Sequence, residues 1–550
     1  MKREVCISVF LITAGFMWGQ TQDIRLNSLG YLPVSSKKAS VITKCSSFVI
    51  KDVADGKVVF EGTVTDPVYQ KDVGQHVWIA DFSELASEGD YIMEIPHVGK
   101  SIEFRIANDV YNRPFHTVFR SLYLFRCGTA LEGEYNGSVF RQKPCHLNDG
   151  YTDYIGIAGS KLDGTGGWHD AGDYGKYTAN AAFSLGIMFM AWDHFKDNLE
   201  NVDFDLPETA PGFPDYLEEM KWETDWLLKM QYPDGSGRVS HKLTPLNFEG
   251  FIPAGQDMSK RFFSEWSSTS VADFAACMAS AARYFKNYDS AYAEKCLNAA
   301  RRSYKFLQEN PGYKPMNQSD FRTGAYASDD ADDRMWAAAE LWETTGEESY
   351  LKDLEKRIKQ FKNMNTRDWD WDYLAPLGIF TYLLSEKSGK DQALYESFRE
   401  QVLKDADSLV SFVNNDVYGR SHTRYYWGTN GLIPRLVINL HIAGKLSHDE
   451  KYTLASQDII AHIFGRNYYN RSYVTEIGYN PPMHPHDRRS VSDSVVDPWP
   501  GYMVGGGHTA TDWVDQEIDY SRNEIALNWQ TSLIYALAKF IDSGNRGSND

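Results

Sequence analysis

The chain predicts two folded units: an all-β sandwich over residues 23–107 and, over 108–545, an all-α domain of six helical hairpins closed into an (α/α)6 toroid. Two rhythms in the sequence, and the break between them, predict it. Up to Ala107 apolar and polar residues alternate with a period of two, as in strands with one buried face. Beyond Asn108-Asp109 apolar residues recur every three or four positions, as on one face of a helix, and that period persists.

In the first unit Ala39–Ile42, Phe48–Ile50, Val58–Phe60, Val77–Ile79, Tyr91–Ile95 and Ile102–Ile106 read as strands, with Asp55-Gly56 as a hairpin turn. Short strands at this density fit a sandwich. In the second, helical periodicity marks segments near 111–126, 175–195, 215–231, 267–286, 289–308, 332–345, 349–361, 373–386, 391–412, 431–443, 449–464 and 524–541. Leu351, Leu354, Ile358 and Phe361 line one face of their segment, as do Phe274, Met278, Ala281 and Phe285. Twelve helices make six hairpins. Long loops at 127–174, 232–266 and 465–523 interrupt them, and loops of that length inside a compact domain are usually functional.

Composition narrows the partners. With 42% hydrophobic and 24% charged residues in 550, the chain can bury a large core. Its net charge of -19 excludes nucleic acid and anionic membranes as natural partners, while a neutral polymer is compatible. The start, Met1-Lys2-Arg3 followed by the apolar run Val5 to Trp18, reads as a signal peptide over residues 1–22, so a secreted or periplasmic protein is expected. No later stretch reaches the roughly 20 apolar residues that span a bilayer. Five cysteines remain after the apolar run, Cys45, Cys127, Cys145, Cys277 and Cys296, and an odd number argues against a full disulfide framework.

Chemistry concentrates in two stretches and in the loop before the second. Gly166 to Tyr177 sets Asp170 and Asp173 three residues apart in a glycine-rich segment just ahead of a helix. Two acids so placed suit general acid/base work on a sugar, or else simply begin a helix. In the last long loop, Pro485-His486-Asp487-Arg488 offers imidazole and guanidinium donors stiffened by proline; the alternatives are a solvated basic turn or a metal site built on His484 and His486. Tyr520 to Trp529 follows, with Glu524 expected to open the final helix. Trp266, Trp369, Trp371, Tyr425, Tyr426 and Trp427 are candidates for stacking on sugar faces.

Together these stretches resemble glycoside hydrolase family 9, the inverting cellulases and their relatives. The resemblance rests on Gly-Gly-Trp-His-Asp-Ala-Gly-Asp-Tyr at 166–174, Pro-His-Asp-Arg at 485–488 and Asn-Glu-Ile-Ala at 523–526. The opening Ile24-Arg25-Leu26-Asn27 with Gly30-Tyr31-Leu32 is similar to the immunoglobulin-like domain that often precedes that catalytic module. The resemblance implies Asp173 as general base, Asp170 as its partner in holding the attacking water and Glu524 as general acid. It places His486 and Arg488 on the sugar beside the cleaved bond and Tyr520 near the acid. Where the family more often has a second His, this chain has Asp487, an added negative charge expected near the site. The implied partner is a β-glucan chain.

Cys127, Cys145, His146 and His169 supply the ligand set usual for structural zinc, and the resemblance implies such a site; a Cys127–Cys145 disulfide is the alternative. The acidic run from Ser328 to Asp333 has the oxygen density that calcium prefers, with Asp330 and Asp333 as ligands. The expected function is an endo-acting β-1,4-glucanase working as a monomer. The alternatives are a xyloglucan or mixed-linkage glucanase, an exo-β-glucosaminidase, or a glycan-binding protein without activity.

Overall fold

A computed structural model describes residues 19–361 and 364–542; the expected signal segment up to Trp18 and residues 543–545 lie outside the described residues. Eight strands form the first domain: β1 (Ile24–Arg25), β2 (Lys38–Val41), β3 (Ser47–Asp52), β4 (Val58–Thr63), β5 (Val68–Gln70), β6 (Gln75–Asp81), β7 (Gly89–Ile95) and β8 (Gly99–Ile106). They make two four-stranded antiparallel sheets, ordered β1-β2-β6-β5 and β4-β3-β7-β8. Ile24, Val41, Ile50, Met93 and Phe104 fill the space between them, while alternate residues face out. Asp55-Gly56 does turn β3 into β4, with Gly56 at φ 70°. Strands β1 and β5 were not legible because two or three residues are too few to display an alternation.

The second domain follows with α1 (Asn112–Phe125), the hairpin β9 (Leu131–Tyr135) and β10 (Ser138–Gln142), β11 (Lys176–Tyr177), α2 (Thr178–Leu199), α3 (Asp215–Met230), β12 (Lys242–Thr244) and β13 (Phe262–Phe263). Then come α4 (Ser268–Phe285), α5 (Ser290–Glu309), α6 (Ala331–Thr345), α7 (Glu348–Ile358), α8 (Ala375–Leu384), α9 (Gln392–Asn415), α10 (Thr429–Ser447) and α11 (Lys451–Ile463). Two short helices, α12 (Arg488–Ser492) and α13 (Tyr520–Asn523), precede α14 (Leu527–Ala538). Every expected helical segment is a helix, displaced by a few residues at its ends.

Packing sorts these helices into two classes. α2 packs on α4, α4 on α6, α6 on α8, α8 on α10, α10 on α14, and α14 back on α2. Helices of this circuit are buried nearly all round, as α2, α4 and α14 show. The intervening α5, α7 and α9 bury one stripe and leave the other wet, which is the amphipathic pattern that made them legible.

The sandwich lies against this helical domain through buried polar contacts as well as apolar ones. Val77 packs on Val417 and Tyr418, and Arg25 donates to the Tyr418 hydroxyl at 2.7 Å. Asp458 accepts ion pairs from Lys38 of the sandwich at 2.8 Å and from Arg466 at 2.6 Å, while Arg466 Nε donates to Ser40 Oγ at 3.1 Å. Removing one partner would strand a buried charge, so the two domains are fixed to each other.

Candidate active site

The cleft is built from the loops that lead into the circuit helices. Asp170 and Asp173 precede α2, Tyr326 precedes α6, Trp371 precedes α8, Trp427 precedes α10 and Glu524 precedes α14. These lead-in loops meet: Tyr326 touches Asp170 and Trp371, and Trp427 touches Tyr520 beside Glu524. Helix N-termini carry unsatisfied N–H groups and positive partial charge, so this is the end of the circuit at which carboxylates are best placed.

Glu524 does not open the final helix, as the sequence suggested. It stands in an extended stretch at φ -69°, ψ 160°, three residues before α14. There it makes a parallel bridge with His486, while Ala526 bridges Ala171 and Ile525 bridges Val504. His486 N–H donates to the Asn523 carbonyl at 2.8 Å, Arg488 N–H to the Gly172 carbonyl at 3.0 Å, and Leu527 N–H to the Asp170 carbonyl at 2.9 Å. A backbone seam thus joins three segments, the first of them more than 300 residues from the other two in the chain. Gly172 is required there, because a Cβ on it would fall 2.1 Å from the His486 carbonyl oxygen.

Asp170 is buried and fully engaged: Asn180 Nδ2 donates to one oxygen at 2.7 Å and the Tyr326 hydroxyl to the other at 2.5 Å. Burial, and then the proximity of Asp173, push its carboxyl up to about 7 despite those donors. Asp173 accepts from the Gly175 N–H at 2.9 Å through one oxygen. Glu524 is partly open to the cleft. Desolvation, followed by repulsion from Asp173 and Asp170, raises its carboxyl well above the ordinary range, and Arg488 offsets only part of this. One cleft therefore holds a carboxyl group biased toward its protonated form beside two other acids, an arrangement compatible with acid/base hydrolysis of a glycosidic bond.

His486 is buried, with Nδ1 donating to the Glu517 carbonyl at 2.6 Å, which fixes the ring's orientation. Its ring lies between those of Phe251, at 5.3 Å, and Tyr520, at 6.0 Å; Tyr520 in turn meets Trp427 at 5.3 Å. Tyr520 and Trp427 are about half exposed, so the row Phe251–His486–Tyr520–Trp427 forms an aromatic wall. Of the other aromatic candidates, Trp371 reaches the site through Tyr326 at 4.7 Å. Trp369 is instead core, and Trp266 packs on Phe306.

Two expectations change. Arg488 is occupied by the protein: its guanidinium donates to the Gly172 and Glu249 carbonyls and pairs with the Glu249 carboxylate at 3.0 Å. Asp487 adds no charge to the cleft. It is wholly buried, caps α12 and pairs with Arg489 at 2.7 Å, so its carboxylate is neutralised inside the core. Sequence reading missed Asn180, Tyr326 and Glu249. Asn180 was detectable as a polar residue in an otherwise apolar helix start. Tyr326 was detectable as an aromatic just ahead of a helix, like Trp371 and Trp427.

Cys127, Cys145, His146 and His169 converge, all buried, with their donor atoms within 4.8 Å of one another. The separations are 3.9 Å between the sulfurs, 3.4 Å from Cys127 Sγ to His146 Nδ1, 3.8 Å from Cys145 Sγ to His169 Nε2 and 3.4 Å between the imidazole nitrogens. A tetrahedral ion with thiolate and imidazole ligands has edges of about 3.3–3.8 Å, so the donor set fits one. Asp257 accepts from His146 Nε2 at 3.1 Å, turning Nδ1 toward the thiols, as a carboxylate behind a ligating histidine does. Both thiols are unbridged. The Asp330–Asp333 run is different: Asp330 is paired with Arg334 at 2.7 Å, and the buried Asp333 carboxyl lies beside Asp273 and is raised with it. Among the described residues the Cys/His cluster is the group of His, Cys, Asp or Glu side chains whose donor atoms converge for a metal, and Asp330 and Asp333 are not part of such a group.

Because Glu524 titrates higher in the folded than in the unfolded chain, the folded state holds the extra proton in the pH window between the two values. This group's contribution to stability is therefore lost as pH rises through that window. Glutamine cannot ionise. E524Q is expected to melt about 2–4 °C above the parent protein at pH 8 and level with it at pH 4, by calorimetry; an equal difference at both pH values would contradict the raised carboxyl.

Comparison with known proteins agrees with this geometry. The family profile described as glycosyl hydrolase family 9 matches residues 111–537, and that of the cellulase N-terminal ig-like domain matches residues 19–100. Endoglucanase D of Acetivibrio thermocellus is 51% identical over 98% of this chain and 86% of its own length. The xyloglucan-specific endo-beta-1,4-glucanase BoGH9A of Bacteroides ovatus is 32% identical over 94% of each chain. The solved structure of a Bacteroides ovatus GH9 protein superposes with a TM-score of 0.87 at 30% identity, covering 95% of this chain and 99% of that one. A Zn-binding triple mutant of the family 9 endoglucanase J30 superposes at 0.87 and 30% identity, over 93% and 100%. An acid/base cleft, a leading β-sandwich and these matches together make the chain a glycoside hydrolase: it belongs to glycosyl hydrolase family 9 and carries the ig-like domain of that family's cellulases.

Proposed function

We propose that this enzyme is an inverting endo-β-1,4-glucanase whose helical circuit is the (α/α)6 toroid. The reading rests above all on Glu524, a partly exposed carboxyl kept protonated by burial and by two neighbouring carboxylates. Glu524 gives its proton to the leaving glycosidic oxygen. A water positioned by Asp170 and Asp173 loses a proton to Asp173 as its oxygen bonds to the anomeric carbon from the opposite face, so configuration inverts. His486, Tyr520 and Trp427 supply the wall on which successive sugar rings lie, and Arg488 shapes the loop carrying the base. The basic-then-apolar start supports export to the periplasm or the medium.

Internal cleavage is supported by the exposed aromatic row, which suits a chain lying along the cleft. The glucosaminidase alternative leaned on Asp487 as partner for an amine, and that carboxylate is taken by Arg489. Soluble β-1,4-glucan should lose viscosity rapidly relative to the reducing ends formed, and D173N and E524Q should each lower the rate by about 10²–10⁴-fold. Monosaccharide as the sole early product, or cleavage of xyloglucan in preference to unbranched glucan, would contradict the substrate assignment.

Zinc is the metal we assign to Cys127, Cys145, His146 and His169: two thiolates, two imidazoles and no open position suit a structural ion. When bound it would cross-link the segment 127–146 to His169, the residue next to Asp170, without taking part in hydrolysis. Metal analysis should find about one zinc per chain, and C145S should lower the melting temperature with little change in KM. A Cys127–Cys145 disulfide found by mass spectrometry would contradict it.

A further inference from the structure

Asp173 sits between two backbone groups that are both held from outside its own loop. On one side the Gly172 carbonyl accepts from the Arg488 backbone N–H and from Arg488 Nη1, each at 3.0 Å. On the other the Tyr174 N–H donates to Glu249 Oε1 at 3.1 Å. The same oxygen lies 3.0 Å from Arg488 Nε. Glu249 is thus the junction: one carboxylate joins the residue after Asp173 to the side chain that holds the residue before it. The side chain of Glu249 is 2% exposed and its Oε2 is buried without a protein partner. Its own carbonyl accepts from Arg488 Nε and Nη2 at 3.2 Å, and the Tyr174 hydroxyl donates to the Ile252 carbonyl at 2.6 Å, so the 249–252 segment is tied to Tyr174 at two points and to Arg488 through both its carbonyl and its carboxylate.

A buried carboxylate in this position is costly unless it is needed. Burial and then Asp173 raise the Glu249 carboxyl, with Arg488 acting against them. An apolar or amide side chain could fill the space without that repulsion. What neither could do is bind a guanidinium and an amide N–H together through a charged acceptor.

We propose that Glu249 is a positioning residue for the general base: by gripping Arg488 and the Tyr174 amide at once, it fixes the backbone on both sides of Asp173. The inference rests on the reading of Asp173 as the base. It also gives the cleft a mechanical link, since Phe248 and Phe251, which flank the junction, are exposed on the cleft side and lie under the Arg488 guanidinium at 5.7 and 5.8 Å.

The test is steady-state kinetics of E249Q and E249A on a soluble β-glucan and on an aryl β-cellooligoside whose phenolate leaves without protonation, with D173N and E524Q as references and melting temperatures recorded throughout. Misplacing the base should lower kcat by about 10–100-fold in E249A, by the same factor on both substrates, with KM within about threefold. E249Q keeps an acceptor for the Tyr174 amide but loses the charge facing Arg488, and should fall between E249A and the parent. E524Q, lacking the acid, should recover on the aryl substrate while E249A does not. If E249A does not fold, the same criteria apply to E249Q. Unchanged kcat in the folded variants, a loss confined to KM, or recovery on the aryl substrate would each overturn the proposal. Full activity in D173N would instead overturn the assignment of the base, whatever Glu249 does.

Discussion

Asp170, Asp173 and Glu524 stand within electrostatic reach of one another, and Asp170 and Glu524 resist that placement. Burial penalises the charged form of these two, and the neighbouring acids add repulsion. Much of the architecture answers this. The circuit helices present their N-termini to the cleft, Tyr326 and Asn180 donate to Asp170, and Arg488 stands near Glu524. The compensation is incomplete. What remains uncompensated biases Glu524 toward its protonated form, the state a proton donor must hold.

Such a group is useful only if its position is fixed, and the catalytic loop is held from several directions. At its start the Cys127 N–H donates to the Gly167 carbonyl and the His169 N–H to the Phe125 carbonyl, both at 2.7 Å, with the Cys/His cluster beside them. At its middle are the bridge from Ala171 to Ala526 and the close approach of Gly172 to His486. Beyond, Arg261 Nη2 donates to the Tyr174 carbonyl at 2.6 Å and is anchored by Asp149. The leading sandwich meets the helical domain at the segment that ends at Arg420, seven residues before Trp427.

The fold was legible where periodicity is long. α5, α7 and α9 each show one wet and one dry face, and their bounds were read to within a few residues. Short elements were not legible: β1, β5, α12 and α13 have too few residues to repeat, and the hairpin β9–β10 lies within a stretch read as loop. The three acids were legible as motifs, but their surroundings were not. Glu524 resembled a helix start because charged residues favour that position, yet pairing with His486 holds it extended. Asp487 resembled a cleft charge because His486 beside it belongs to the site, yet it caps the five-residue α12 and pairs with Arg489 two residues on, in a helix too short to be legible. Glu249 carries no local signal, since its role exists only through Tyr174 and Arg488, which are distant in sequence.

The central claim is that three carboxyl groups divide into a water-activating pair and a proton donor on opposite faces of the scissile bond. Proton NMR of the first product released from a β-1,4-glucan oligomer measures this directly. The α-anomer is expected first, with the β-anomer growing in only by mutarotation. A β-anomer present from the first spectrum would mean retention through a covalent intermediate, and would contradict it.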